Sequence, residues 1–187
     1  YSRGVLAILA ASIIWGTTGT AASFAPAVSA LAIGAFAMGT GGVLLMLNAL
    51  GELQRDRLLL LTQRRSLLLG GLSVAIYPLA FYSSMRLSGV AVGTVISIAS
   101  APLFTVLLEW LISGRRISLR WGFSFVLGAL GIALLALGRA ADESAAASSL
   151  TTWLGAGLGL LAGLTYATYS WVARHMIEQG VGSRSAM

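Results

Sequence analysis

The side chains best suited to handling a solute here are aromatic and hydroxylic, and they fall near the middles of long apolar runs. Trp15, Tyr77 and Tyr166 are three of them, with Thr17, Thr18, Thr94 and Ser97 close by. A buried indole or phenol needs a hydrogen-bond partner. Grouped beside neutral hydroxyls, these rings suit a cavity with aromatic walls that holds a small organic molecule. The competing reading is that they satisfy one another inside a packed bundle. Pro78 and Pro102 lie at similar depth. Each removes a backbone N–H and obstructs the preceding turn. The carbonyls of Val74 and Ile98 then need another partner, from a neighbouring helix, a hydroxyl or water. A pair of such breaks marks a cavity or a bending point, unless both are kinks without function.

Ionisable candidates are scarce. Glu109 is the one carboxylate inside an apolar run, which makes it a coupling candidate by default. It stands a few residues before Arg115 and Arg116, so an interfacial partner for those arginines is the favoured role. His175, the single histidine, closes the last apolar run and reads as interfacial. No HExxH pair, GxSxG elbow or phosphate-binding loop occurs. Gly71-Leu72-Ser73-Val74 lacks the second glycine of an elbow, and no carboxylate cluster suits a metal. The chain has no cysteine, which excludes disulfides and thiolate metal sites. The expectation is therefore no catalytic residue, no metal, no cofactor and no enzyme.

The elements that must carry these residues follow from composition. Of 187 residues, 57% are hydrophobic and 10% charged, with mean hydropathy +0.88. A soluble domain carries roughly 25% charged residues, so too few are present to cover a wet surface. Six apolar stretches stand out: Gly4–Phe24, Ala27–Leu50, Leu67–Met85, Gly89–Ile112, Leu119–Leu137 and Thr152–Val172. Each is long enough for a helix to cross a hydrocarbon core, which takes about 20 residues. Backbone groups must pair internally in lipid, and strand-like alternation is absent, so helices are expected. The first stretch, with Arg3 before it and Ala21-Ala22-Ser23 within it, could pass for a secretory signal, but is long for one.

The net charge of +6 comes from twelve arginines and no lysine. Because they sit between apolar runs, the lipid headgroup layer is the expected partner, not nucleic acid. With the N-terminus in the cytoplasm, ten arginines fall inside and only Arg86 and Arg139 outside, a strong positive-inside pattern. Trp110, Trp121, Trp153 and Trp171 lie near helix ends, as interfacial indoles do. Gly89, Gly93, Ser97 and Ala101 form one small-residue ridge, and Gly155, Gly159 and Gly163 another. Such ridges let helices approach closely, and plain packing is the favoured reading. Arg139–Ser149 reads as a flexible external linker.

That linker marks a boundary. A shift of 151 positions lays Gly4 on Gly155, Leu9 on Leu160, Ala11 on Ala162, Thr17 on Thr168 and Trp15 on Tyr166. Five helices per repeat is an odd number, so a second copy must be inverted, as in many transporters. The expected fold class is all-α: a polytopic transmembrane helix bundle of one five-helix repeat plus the first helix of an inverted second. The expected division is 1–141 for the repeat, 142–151 for the linker and 152–187 for the opening of the second.

Three stretches carry a family resemblance: LAILAASIIWGTTGT, the run from Tyr77 through the Gly89–Pro102 block to Ser118, and RWGFSFVLGALGIALLALG. Together with Trp15-Gly16, they make the chain similar to the EamA-type drug/metabolite transporter superfamily. The resemblance implies a secondary transporter of ten helices in two inverted repeats. Such a protein moves small metabolites, amino acids among them, across the cytoplasmic (bacterial inner) membrane by alternating access. It implies a cavity lined by helices 1, 3 and 4 and their counterparts. On this sequence that means Trp15, Thr18, Tyr77, Ser97, Pro102 and Tyr166, with Thr94 and Tyr169 completing the candidate set. It also implies four further helices on a longer chain, of which this sequence reads as a fragment; the alternative is a half-size transporter working as an antiparallel dimer, which the sixth helix fits poorly. Where many relatives carry an arginine in helix 2, this chain reads Phe36-Ala37-Met38. Where they carry Gly-Glu after helix 4, it reads Gly114-Arg115.

Overall fold

A computed structural model describes residues 2–114, 118–142 and 149–187. The described chain is helical throughout, without a strand. Its elements are α1 (Ser2–Gly16), α2 (Thr18–Ser23), α3 (Ala30–Thr62), α4 (Arg64–Ser88), α5 (Val90–Ser113), α6 (Leu119–Asp142), α7 (Ser149–Glu178) and α8 (Ser183–Ala186). The first expected span is split into α1 and α2 at Thr17. There the amide and the hydroxyl both donate to the Ile14 carbonyl, at 3.2 and 2.7 Å. Helical bonding resumes with Ala21 N–H donating to Thr17 O at 2.8 Å. Trp15 therefore stands beside a local break in its span.

Five described segments are long and apolar enough to cross a membrane: Gly4–Ser23, Ala30–Thr62, Arg64–Ser88, Val90–Ser113 and Leu150–Glu178. The fifth expected span, Leu119–Leu137, falls within α6. Its described apolar portion, Leu119–Gly131, is shorter than a span. The most apolar windows of the first two segments are only 6% buried within the chain. Ile13, Phe36 and Leu44 are each about 70% exposed. Such an apolar surface far exceeds what a soluble monomer shows, whereas in a bilayer it is the lipid-facing side. The chain is an all-α, multi-pass membrane protein.

Several boundaries differ from expectation. Ser29 caps α3, its hydroxyl accepting from Ala32 N–H at 3.1 Å. The helix does not stop at Leu50 but continues to Thr62, and Gln63 alone separates it from α4. No proline interrupts the stretch after Gly51. The leucines from Leu58 restart an apolar face there, on which Leu60 packs with Val172, Met176 and Val181. Arg55 and Arg57 thus stand on a helix rather than in a loop. At the expected linker, α6 runs through Arg139 to Asp142 and α7 begins at Ser149. The helices therefore take up both ends of the 142–151 segment, and residues 143–148 lie outside the described residues, as do Arg115 and Arg116.

α7 packs against both α4 and α5, and small residues set the spacing. A Cβ on Gly155 would come within 2.7 Å of Ser88 Cβ and 2.8 Å of Ser88 N; one on Gly93 would come within 2.7 Å of Met85 N. Where the backbones approach this closely, Ser84, fully buried, donates from Oγ to the Gly155 carbonyl at 2.7 Å. The expected ridges are thus used for packing inside the chain. α4 and α5 join through Gly89 alone, at φ 84° and ψ 150°, a backbone region essentially restricted to glycine.

Polar contacts define one end of the bundle. Arg174 on α7 pairs with Glu109 on α5 at 2.8 Å, and with Glu178 at 2.9 Å. Gly182, before α8, donates its N–H to Asp56 on α3 at 2.7 Å. The C-terminal ends of α3, α5 and α7 therefore meet at a common charged end.

Candidate functional site

Three helices bring the central aromatic residues together. Trp15 at the end of α1 lies 5.3 Å from Tyr166 of α7 between ring centroids, tilted by 41°. Tyr77 of α4 lies 5.5 Å from Tyr166, tilted by 51°. Tyr77 stacks onward on Phe81 at 5.6 Å, and Phe81 meets Tyr82 edge-on at 5.4 Å. Contacts of this geometry contribute about 0.5–1.5 kcal/mol each beyond area burial. Phe81 and Tyr82 anchor the row in a buried cluster with Met85 of α4 and Ala162 of α7.

Trp15, Tyr77 and Tyr166 form a common wall between two cavities, each of about 420 Å³. The first opens toward α3 and is lined there by Met38, Gly41, Gly42 and Met46. Val74 and Tyr169 add to its walls, and Arg184, Ser185 and Met187 lie at its charged end. The second opens toward α5 and α6, where Ser97, Ile98, Pro102, Thr105 and Trp121 line it. A volume of this order accommodates a small metabolite. The lining is apolar and aromatic, with few hydroxyls.

The two prolines bear directly on these linings. Pro78 removes the donor that Val74 O would use, and Pro102 the one Ile98 O would use. Val74 borders the first cavity and Ile98 the second. Each cavity is thus bordered by a residue whose carbonyl lacks its usual helical donor.

The structure divides the expected site residues. Trp15, Tyr77, Tyr166 and Tyr169 line the first cavity; Trp15, Tyr77, Tyr166, Ser97 and Pro102 line the second. Ser97 is 2% exposed and donates to Gly93 O at 2.8 Å, so its hydroxyl proton is already committed. Thr18 lines neither cavity. Thr94 donates to Met85 Sδ at 3.2 Å and lies beside Gly19, which places it in the packing between α2 and α5. Glu109 lines neither cavity and pairs with Arg174. His175 stacks on Trp171 at 5.3 Å and contacts Gln179 at 2.8 Å, near the end of α7. Among the described residues no three His, Asp or Glu side chains gather as a metal site.

Sequence reasoning missed the α3 wall of the first cavity. The signal was present: Met38, Gly42 and Met46 recur every four residues, so they share one face, and a soft, small-residue face is a ready cavity lining.

Residues 2–137 match the EamA-like transporter family. Over 174 residues the chain is 31% identical to YwfM, an uncharacterised transporter of Bacillus subtilis (strain 168). That alignment covers 92% of this chain and 56% of the relative, so the chain spans little more than half the relative's length. No solved structure gives a significant match. The family match covers most of the chain and includes the helices that carry Trp15, Tyr77, Ser97 and Pro102. The chain belongs to the EamA-like transporter family.

Proposed function

We propose that the chain supplies half of the solute pathway of a secondary transporter. It moves small metabolites, amino-acid-like or other small organic molecules, across the cytoplasmic membrane by alternating access. The observation that carries this reading is the wall of Trp15, Tyr77 and Tyr166 shared by two cavities. Aromatic faces bind an apolar or delocalised body, and the carbonyls freed by Pro78 and Pro102 suit a solute amine or amide N–H. A neutral or zwitterionic solute fits such a lining better than an anion, because few fixed charges face it. The complementary half comes from the remainder of a longer protein or from an antiparallel copy, with the charged end of the bundle in the cytoplasm. The arginine distribution supports that orientation.

A second reading is a non-transporting scaffold that uses its small-residue ridges to bind other membrane proteins. The packing of Gly155, Gly159 and Gly163 against α4 and α5 of the same chain counts against it. Flux of an amino-acid panel into liposomes holding the full-length protein tests the choice. Uptake or exchange above protein-free liposomes is expected for at least one solute, and background flux across a broad panel would support the scaffold.

A further inference from the structure

The chain after α7 folds back to the charged end of the first cavity, and the means are visible. α7 ends in a Schellman motif: Val181 N–H donates to Met176 O at 3.1 Å and Gly180 N–H to Ile177 O at 3.0 Å. Gly180 has φ 96°, the positive value this cap requires. Val181 is 3% exposed and packs with Met176, Val172 and Leu60. The turn is therefore anchored, and it points residues 182–187 at α3.

What receives them is a pair of carboxylates one helical turn apart. Asp56, buried to 6% exposure, accepts from Gly182 N–H at 2.7 Å through Oδ2. Glu52 Oε2 accepts from Arg184 N–H at 3.1 Å, and Glu52 Oε1 lies 3.5 Å from Arg184 Nε. Arg55 Nε is 3.7 Å from Asp56 Oδ1. A Cβ on residue 182 would fall 2.5 Å from Glu52 Oε2 and 2.8 Å from Asp56 Oδ2, so only glycine lets the backbone sit between both acids. One turn further into the bundle on the same helix, Leu53 and Ala49 line the first cavity, whose charged end holds Arg184, Ser185 and Met187.

We propose that residues 182–187 are a gate over the charged end of the first cavity and that Glu52 and Asp56 are its latch. Opening the cavity to that side requires the segment to leave α3, which breaks two hydrogen bonds to carboxylates and one ion pair. Bonds of this kind are stronger than neutral ones, yet each remains small enough to be broken reversibly. The gate rests on the proposed transport function, but access to the cavity can be read without any solute.

The 187 residues contain no cysteine, so Ala49→Cys reports from behind the gate. Ala49 is 3% exposed in the closed arrangement. Val106→Cys, in the lining of the second cavity, is the control. Both reporters are placed in the full-length protein, cysteine-free elsewhere, in vesicles exposing the charged end to a membrane-impermeant maleimide. Glu52→Ala with Asp56→Ala should speed labelling at position 49 about tenfold, the scale of one lost hydrogen bond to a charged group. Labelling at position 106 should stay within about twofold. Gly182→Ala keeps both acids and should act in the same direction, and Asp56→Ala alone serves if the double variant does not accumulate. Unchanged labelling at position 49 in these variants overturns the gate, and so does an equal rise at both reporters. Absence of flux for every solute, with labelling as expected, would instead remove the transport reading and leave the closure standing.

Discussion

Replacing Gly155 by alanine should separate α7 from α4, and the size of the effect can be worked from the interface. The new methyl would sit 2.7 Å from Ser88 Cβ, 2.8 Å from Ser88 N and 3.0 Å from Leu87 Cβ. Carbon atoms rest at about 3.5–4.0 Å, so relief takes roughly 1 Å. The nearest neighbours are backbone and Cβ atoms, which no rotamer change can move; the helices themselves must part. That shift stretches the 2.7 Å bond from Ser84 Oγ to Gly155 O beyond hydrogen-bonding range. Overpacking costs about 1–3 kcal/mol, and an interhelical hydrogen bond in a membrane protein contributes about 0.6–1.7 kcal/mol. The sum is roughly 2–5 kcal/mol. Gly157→Ala is the matched control on the same helix, because nothing lies within 4 Å of its would-be Cβ. It should be neutral, or stabilising by up to about 1 kcal/mol through helix propensity. Reversible unfolding of the full-length protein in mixed micelles would measure both. A gap of about 3 kcal/mol is more than a hundredfold in the folded-to-unfolded ratio. Equal stabilities for the two variants, within about 0.5 kcal/mol, would refute this close packing of α7 on α4.

Other consequences are simpler to state. Ser84→Ala removes the interhelical bond without adding bulk and should cost about 0.6–1.7 kcal/mol in the same unfolding assay. Gly89→Ala forces a side chain into φ 84° and should cost about 1–3 kcal/mol, seen as lower accumulation in membranes and a lower melting temperature. Glu109→Gln weakens the pair with Arg174 at the charged end but leaves the cavities untouched. Flux should persist with an unchanged pH profile, and a flattened profile would move Glu109 into coupling.

Much of the fold was legible because the bilayer constrains it so tightly. Runs of about 20 apolar residues have few alternatives to helix, and the mid-run aromatics declared their depth. Depth does not determine which face of a helix a residue occupies. Thr94 and Ser97 lie less than one turn apart on α5, yet Thr94 meets Met85 and Gly19 while Ser97 borders a cavity. Tyr166 could be matched to Trp15 through the 151-residue shift, but nothing local announced that the two rings would touch. The extension of α3 was hidden by its charges, which end the apolar run at Leu50, whereas the leucines around Leu60 find a partner in α7. Glu52 and Asp56 show a helical spacing in the sequence, whereas their backbone partners lie 132 and 126 residues away. Contacts of that range depend on packing and leave no local pattern.

If the chain forms half of a solute pathway as proposed, the wall of Trp15, Tyr77 and Tyr166 contacts the transported solute. The direct measurement is flux of one transported solute through the full-length protein carrying Trp15→Ala or Tyr166→Ala, with Thr18→Ala, which lies outside both cavities, alongside. Flux should fall at least about tenfold in the first two variants, the scale of losing one or two aromatic contacts, with Thr18→Ala within about twofold of wild type. Flux insensitive to both ring substitutions, or lost equally on Thr18→Ala, would contradict it.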